Sequence, residues 1–105
     1  MIRVLYTWSV PAVRAEAFRS VWRKTTRNIH QTVDGALGSF CLAGIDDQDE
    51  VVTVALWESE AQWRRFIHTA KTDSMKSLHE LAEQISVKAY TQVGDETVHA
   101  WLPDT

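Results

Sequence analysis

Cysteine is almost absent from this chain. Its 105 residues contain one, Cys41, so no disulfide can form within it, and a reducing compartment, the cytoplasm, is the expected home. Long apolar runs are absent too. No stretch approaches the roughly 20 residues needed to span a bilayer, and Met1-Ile2-Arg3-Val4 runs straight into a strand-like pattern rather than a signal peptide. An excess of one charge is also missing. A net charge of −3 and a pI near 5.7 leave no electrostatic footprint for nucleic acid or an anionic membrane. The one basic cluster, Arg14 to Arg27, is spread along an expected helix and interleaved with apolar positions, as a solvated helix face is. There is no G-x-G-x-x-G, no P-loop, no H-E-x-x-H and no Cys/His cluster. No metal site is therefore expected, and His30 and His68 read as surface residues. What remains is 45% hydrophobic and 24% charged, the balance of a single domain over residues 1–105, with a core at about 2–93 and a tail at 94–105.

The chain is organised around Val51 to Phe66. Val51 to Trp57 is a β-branched, apolar strand with both faces apolar, so it should be covered on both sides. Ser59 stands three residues before Gln62, the spacing of a capping box, and Trp63, Phe66 and Ile67 follow at helical spacing. Upstream, Ile2 to Val10 alternates, with Ile2, Val4, Tyr6, Trp8 and Val10 on one face. Pro11 stops it. A helix is expected from about Val13 to about Gln31, its stripe formed by Ala17, Phe18, Val21, Trp22, Thr25 and Ile29.

Asp34-Gly35 is a turn signal, and Ala36 to Gly44 a weaker strand whose Gly35, Gly38 and Gly44 mark a bulge or a close approach of backbones. An acidic loop, Ile45 to Glu50, makes it a hairpin with the Val51 strand. Thr69 to Asp73 reads as a break. Ser74 is expected to cap a third helix with the stripe Met75, Leu78, Leu81, Ala82 and Ile85, and Ser86 to Val93 alternates as a last strand. The apolar Val98 to Pro103, which includes Trp101, should pack on its own domain or on a partner chain.

This order, βαββααβ, predicts an α+β fold of the ferredoxin-like, split βαβ type with a four-stranded antiparallel sheet. All helices then lie on one face. The opposite face is left apolar, and a second copy, sheet against sheet about a two-fold axis, is the simplest cover.

Leu56-Trp57-Glu58-Ser59 followed by Ala61, Trp63 and Phe66 resembles the strand–helix motif of the antibiotic biosynthesis monooxygenase (ABM) family. The Trp8 strand, the helix with Phe18 and Trp22, and the Asp34-Gly35 turn before Ser39-Phe40 are similar as well. The resemblance covers roughly residues 2 to 93 and implies a dimeric α+β barrel, a homodimer through the sheet face, with a pocket between sheet and helices. It implies a small aromatic substrate and, in the branch that oxygenates aromatic polyketides, no cofactor. By resemblance Trp57 lines the pocket, although an indole at a strand end can equally close the core. His79 would take a phenol proton, or sit half in water at the edge of its helix. Thr53, Tyr6, Trp63, Phe66 and Met75 would line the substrate space or serve packing. His79 also resembles the iron ligand of the haem-degrading branch. Against haem cleavage, that branch has an Asn on the first strand, where this chain has Tyr6, and a Trp where it has Phe66. The expectation is a cofactor-independent monooxygenase of a phenol, quinol or polyketide-like molecule. The alternatives are a haem-binding or haem-degrading protein using His79, and a ligand-binding or stress-response dimer without turnover.

Overall fold

The computed structural model describes residues 1–69 and 75–98. Strand β1 (Ile2–Ser9) buries alternate residues, Ile2, Val4, Tyr6 and Trp8, as its period-two pattern requires. After Pro11 a 3-10 turn, Ala12–Arg14, precedes helix α1 (Ala15–Thr32), so the α-helix starts two residues later than Val13, which is exposed. Pro11, at φ −58, sets up the tighter turn, and the Arg14 N–H donates to the Pro11 carbonyl at 2.8 Å. Phe18 anchors α1 on the sheet, meeting Trp8 edge-on with ring centroids 5.4 Å apart. Such a pair adds about 0.5–1.5 kcal/mol beyond its buried area.

The Asp34-Gly35 turn leads into β2 (Ala36–Ala43), which pairs with β3 (Glu50–Trp57). Their register shifts between Ala36 and Ser39, and Gly38 there has φ +101, so the bulge suggested by the glycines is present. Helix α2 (Glu60–Ile67) begins at Ser59, whose hydroxyl accepts from the Gln62 N–H at 3.2 Å. The capping box is rerouted. The Gln62 side chain accepts from the Ser59 hydroxyl at 3.0 Å and donates to Asp34 at 3.4 Å, tying the turn after α1 to the start of α2.

Helix α3 (Lys76–Leu81) is shorter than its apolar stripe suggested, and β4 (Glu83–Thr91) starts sooner. Ile85 is therefore a half-exposed strand residue beside an irregularity in the β1–β4 pairing, not part of a helix. Pairing of Glu83 and Gln84 with Ser9 and Trp8 of β1 overrides the local period. The expected Ser74 cap, most of the break at Thr69 to Asp73, and the Trp101 segment lie outside the described residues.

The sheet order is β2-β3-β1-β4, all pairs antiparallel. This is the ferredoxin-like α+β arrangement the element order predicts. In register, Ile2, Val4, Tyr6 and Trp8 share a face with Trp57, Ala55, Thr53 and Val51, and the core cluster lies between that face and the helices. The opposite face carries Leu5, Val52, Phe40, Leu42 and Tyr90; the last three are 44%, 50% and 50% exposed. No described helix is long and apolar enough to cross a membrane.

Candidate functional site

A cleft opens between α1 and the inner face of the sheet, with about 510 Å³ of empty space counting its mouth. It is narrow. Aromatic and aliphatic side chains make up most of its lining, which suits an aromatic ring. Trp57 and Phe66, with centroids 5.3 Å apart, line one part, and Met75 and Leu78 bring in the third helix. Trp22 and Ile29 form the α1 wall.

Polar groups are few and individually oriented. Thr53, 4% exposed, accepts from the Trp8 indole N–H at 3.0 Å. A hydroxyl that accepts in this way keeps its own proton to donate. Tyr6 accepts from the Trp63 indole N–H at 3.3 Å and likewise keeps a donor proton. Burial raises the Tyr6 pKa above 10.0, and the Trp63 N–H offsets only part of that effect, so this side chain remains a phenol. Trp22 donates to Ser39 Oγ at 3.4 Å.

Among the described residues, His30 is the imidazole that borders the cleft, and it is exposed. Its Nδ1 lies 2.8 Å from the Ala36 carbonyl oxygen. A carbonyl can only accept, so Nδ1 carries the hydrogen, and in the neutral ring Nε2 is the basic nitrogen. The backbone thereby sets both the tautomer and the ring's orientation.

Of the residues singled out in the sequence, Tyr6, Thr53, Trp57, Phe66 and Met75 line this cleft together. Trp63 does not line it. Its indole holds the Tyr6 hydroxyl, and the Arg64 guanidinium covers the indole 5.1 Å from the ring centroid. His79 lies elsewhere. It is exposed, its ring centroid is 5.3 Å from that of Trp8, and it borders a surface depression with Ser9, Pro11 and Arg14. Leu78, 2% exposed, takes the inward position on α3, and the next residue is turned by about 100°. His79, where the base was expected, therefore does not line this cleft among the described residues. His30, read from the sequence as a surface residue, is indeed exposed, and it also borders the cleft. The available signal was its spacing, four residues after Thr26 and eight after Trp22, which continues the α1 stripe.

The family described as antibiotic biosynthesis monooxygenase matches residues 1–81. Among solved structures, SnoaB, a cofactor-independent oxygenase from Streptomyces nogalater, is 19% identical with a TM-score of 0.73, over 90% of this chain and 95% of that one. A candidate antibiotic biosynthesis monooxygenase from Bordetella bronchiseptica is 19% identical with a TM-score of 0.76, over 88% and 96%. Another candidate, from Deinococcus radiodurans, is 15% identical with a TM-score of 0.73, over 93% and 98%. At these identities the likeness is one of fold. No curated protein matches the chain.

Proposed function

The chain belongs to the antibiotic biosynthesis monooxygenase family, and on that basis we propose that it is a cofactor-independent monooxygenase of an aromatic phenol, quinol or polyketide-like molecule. The observation that carries this reading is the His30 imidazole, held by the Ala36 carbonyl at the wall of a narrow, aromatic-lined cleft. Trp22, Trp57 and Phe66 all line the cleft and offer apolar faces to a flat ring. Thr53 and Tyr6 offer O–H donors to a ring oxygen, and they stabilise it better as negative charge develops.

For an anthrone-type ring carbon the chemistry balances as R₂CH₂ + O₂ → R₂C=O + H₂O. His30 Nε2 takes a proton, and the electron-rich carbanion or phenolate passes electrons to dioxygen. A C–O bond forms, and the proton returns to the peroxide. The second proton then leaves that carbon as the O–O bond breaks; one oxygen stays on carbon as the carbonyl, and the other takes up that proton and leaves as water. The substrate supplies all four electrons, and the cleft supplies desolvation and charge stabilisation.

The same reading includes a homodimer formed through the outer sheet face. Phe40, Leu42 and Tyr90 are exposed there beside Leu5 and Val52, and a second copy of that face would cover them. The single free cysteine fits the reducing cytoplasm as the compartment.

Oxygen uptake by metal-free protein with hydroquinones, naphthols and anthrones tests the proposal, with His30→Gln and Trp57→Phe beside it. A positioned base contributes about 10²–10⁴-fold, so His30→Gln should lose at least 100-fold of uptake. Background uptake by the native protein across the panel would overturn the oxygenase reading and leave ligand binding without turnover.

A further inference from the structure

The cleft does not end at the α1 wall. Trp22, Thr26, His30, Gly38 and Ser39 also line a second, wider groove between α1 and β2, with about 890 Å³ of empty space counting its mouth. The groove's remaining lining includes Arg19, Arg23 and Arg27. These arginines are spaced by four residues and form one row along α1, about 12 Å from first to last at the helical rise. Among the described residues none of them forms an ion pair. The α1 segment, AEAFRSVWRKTTRNIHQT, has Glu16 as its only acid. A row of like charges on one helix face repels itself, in a chain whose net charge is −3. The field of the row reaches across the groove. Arg19 and Arg23 both favour the thiolate of Cys41 on the facing strand, although burial outweighs them.

We propose that this groove is the anion subsite of the same cleft, so that the ligand is a flat aromatic ring bearing a carboxylate. The ring enters the narrow slot and the carboxylate remains in the groove. Guanidinium groups match a carboxylate in bidentate geometry, and they relieve their mutual repulsion by binding it. Trp22, Ser39 and His30 lie where slot and groove meet, at the junction between ring and acid. This inference rests on the oxygenase reading for the ring in the slot, but its test needs no turnover.

The probes are 6-hydroxy-2-naphthoate and its neutral carboxamide, titrated without oxygen while tryptophan fluorescence is followed. Trp22 and Trp57 both line the slot and report on it. The native protein should bind the acid at least 10-fold more tightly than the amide, and that gap should shrink as salt rises from 20 to 500 mM, as expected on the order of the Debye screening change. The triple variant R19Q/R23Q/R27Q, altered only at exposed side chains, should bind both probes as weakly as the native protein binds the amide. Equal native affinity for acid and amide, no binding of either, or an unchanged gap in the triple variant would each overturn the proposal. The native ratio decides even if the variant fails to fold. Selective acid binding without oxygen uptake would sink the oxygenase reading alone. Uptake with no preference for acids would sink the anion subsite alone.

Discussion

Replacing Thr53 by valine removes one hydroxyl and nearly nothing else. Thr53 is 4% exposed and Trp8 1% exposed, and the hydroxyl is the acceptor for the Trp8 indole N–H at 3.0 Å. Valine keeps the branched shape, so no sizeable cavity opens, but a buried N–H is left without an acceptor. That costs about 1–3 kcal/mol. For a chain of this size each kcal/mol moves Tm by about 4–8 °C, so a fall of about 10 °C is expected. Urea midpoints followed by fluorescence, at one fixed protein concentration because association shifts apparent stability, give the value. The control is the same change in a Trp8→Phe background. Phenylalanine has no N–H to orphan, so Thr53→Val should cost less than about 0.5 kcal/mol there, leaving a coupling of about 1–2 kcal/mol. Equal costs in the two backgrounds would refute the account of Thr53 as the partner of Trp8. The hydroxyl's remaining proton faces a second test. Affinity for 2-naphthol should fall several-fold in Thr53→Val, since one of the two proposed O–H donors is gone.

Gly35→Ala should destabilise by about 1–3 kcal/mol, because Gly35 has φ +87 and an added Cβ would fall on the Gln62 side chain; an unchanged urea midpoint would refute it. Tyr6 gives a pH prediction. Its pKa is raised in the folded protein above the ordinary 10.0, so its contribution to stability is complete below pH 10 and is lost as pH climbs from there towards the folded value. Tyr6→Phe should flatten the decline of stability above pH 10, and parallel curves would sink the claim. Leu42→Glu, at a half-exposed position on the outer sheet face, should leave monomer stability within about 0.5 kcal/mol and yield monomers on sedimentation; an intact dimer would rule out that face.

Much of the fold was legible because its local and global signals agree. The alternation in β1 has one solution once a face is buried, since a one-residue slip would expose Val4 and Trp8. Ser59 and Gln62 marked the start of α2 to the residue. The glycines of β2 announced a bulge, and one is there. The end of α3 was not legible. Leu78, Leu81, Ala82 and Ile85 satisfy a helical period, yet Gln84-Ile85-Ser86-Val87 satisfies alternation equally well. Pairing with Trp8 and Ser9, more than 70 residues away in the chain, decides between them.

That ambiguity explains why the sequence pointed to His79 rather than His30. A helix continuing to Ile85 has a broad apolar stripe, with His79 at its edge and able to face inward. A helix of six residues, ending at Leu81, turns inward essentially through Leu78, and its neighbour His79 is left to the surface beside Trp8. On α1 the stripe is long enough to fix the facing of every residue. Trp22, Thr26 and His30 recur at four-residue spacing, and all three line the cleft. What α1 cannot disclose by itself is the acceptor for Nδ1. The Ala36 carbonyl is six residues further along the chain, across the Asp34-Gly35 turn and at the irregular start of β2. A histidine at the rim of an apolar stripe becomes a usable base only when a second element supplies the partner that orients its ring. Here that element is a strand whose register departs from regular pairing just where the cleft needs it.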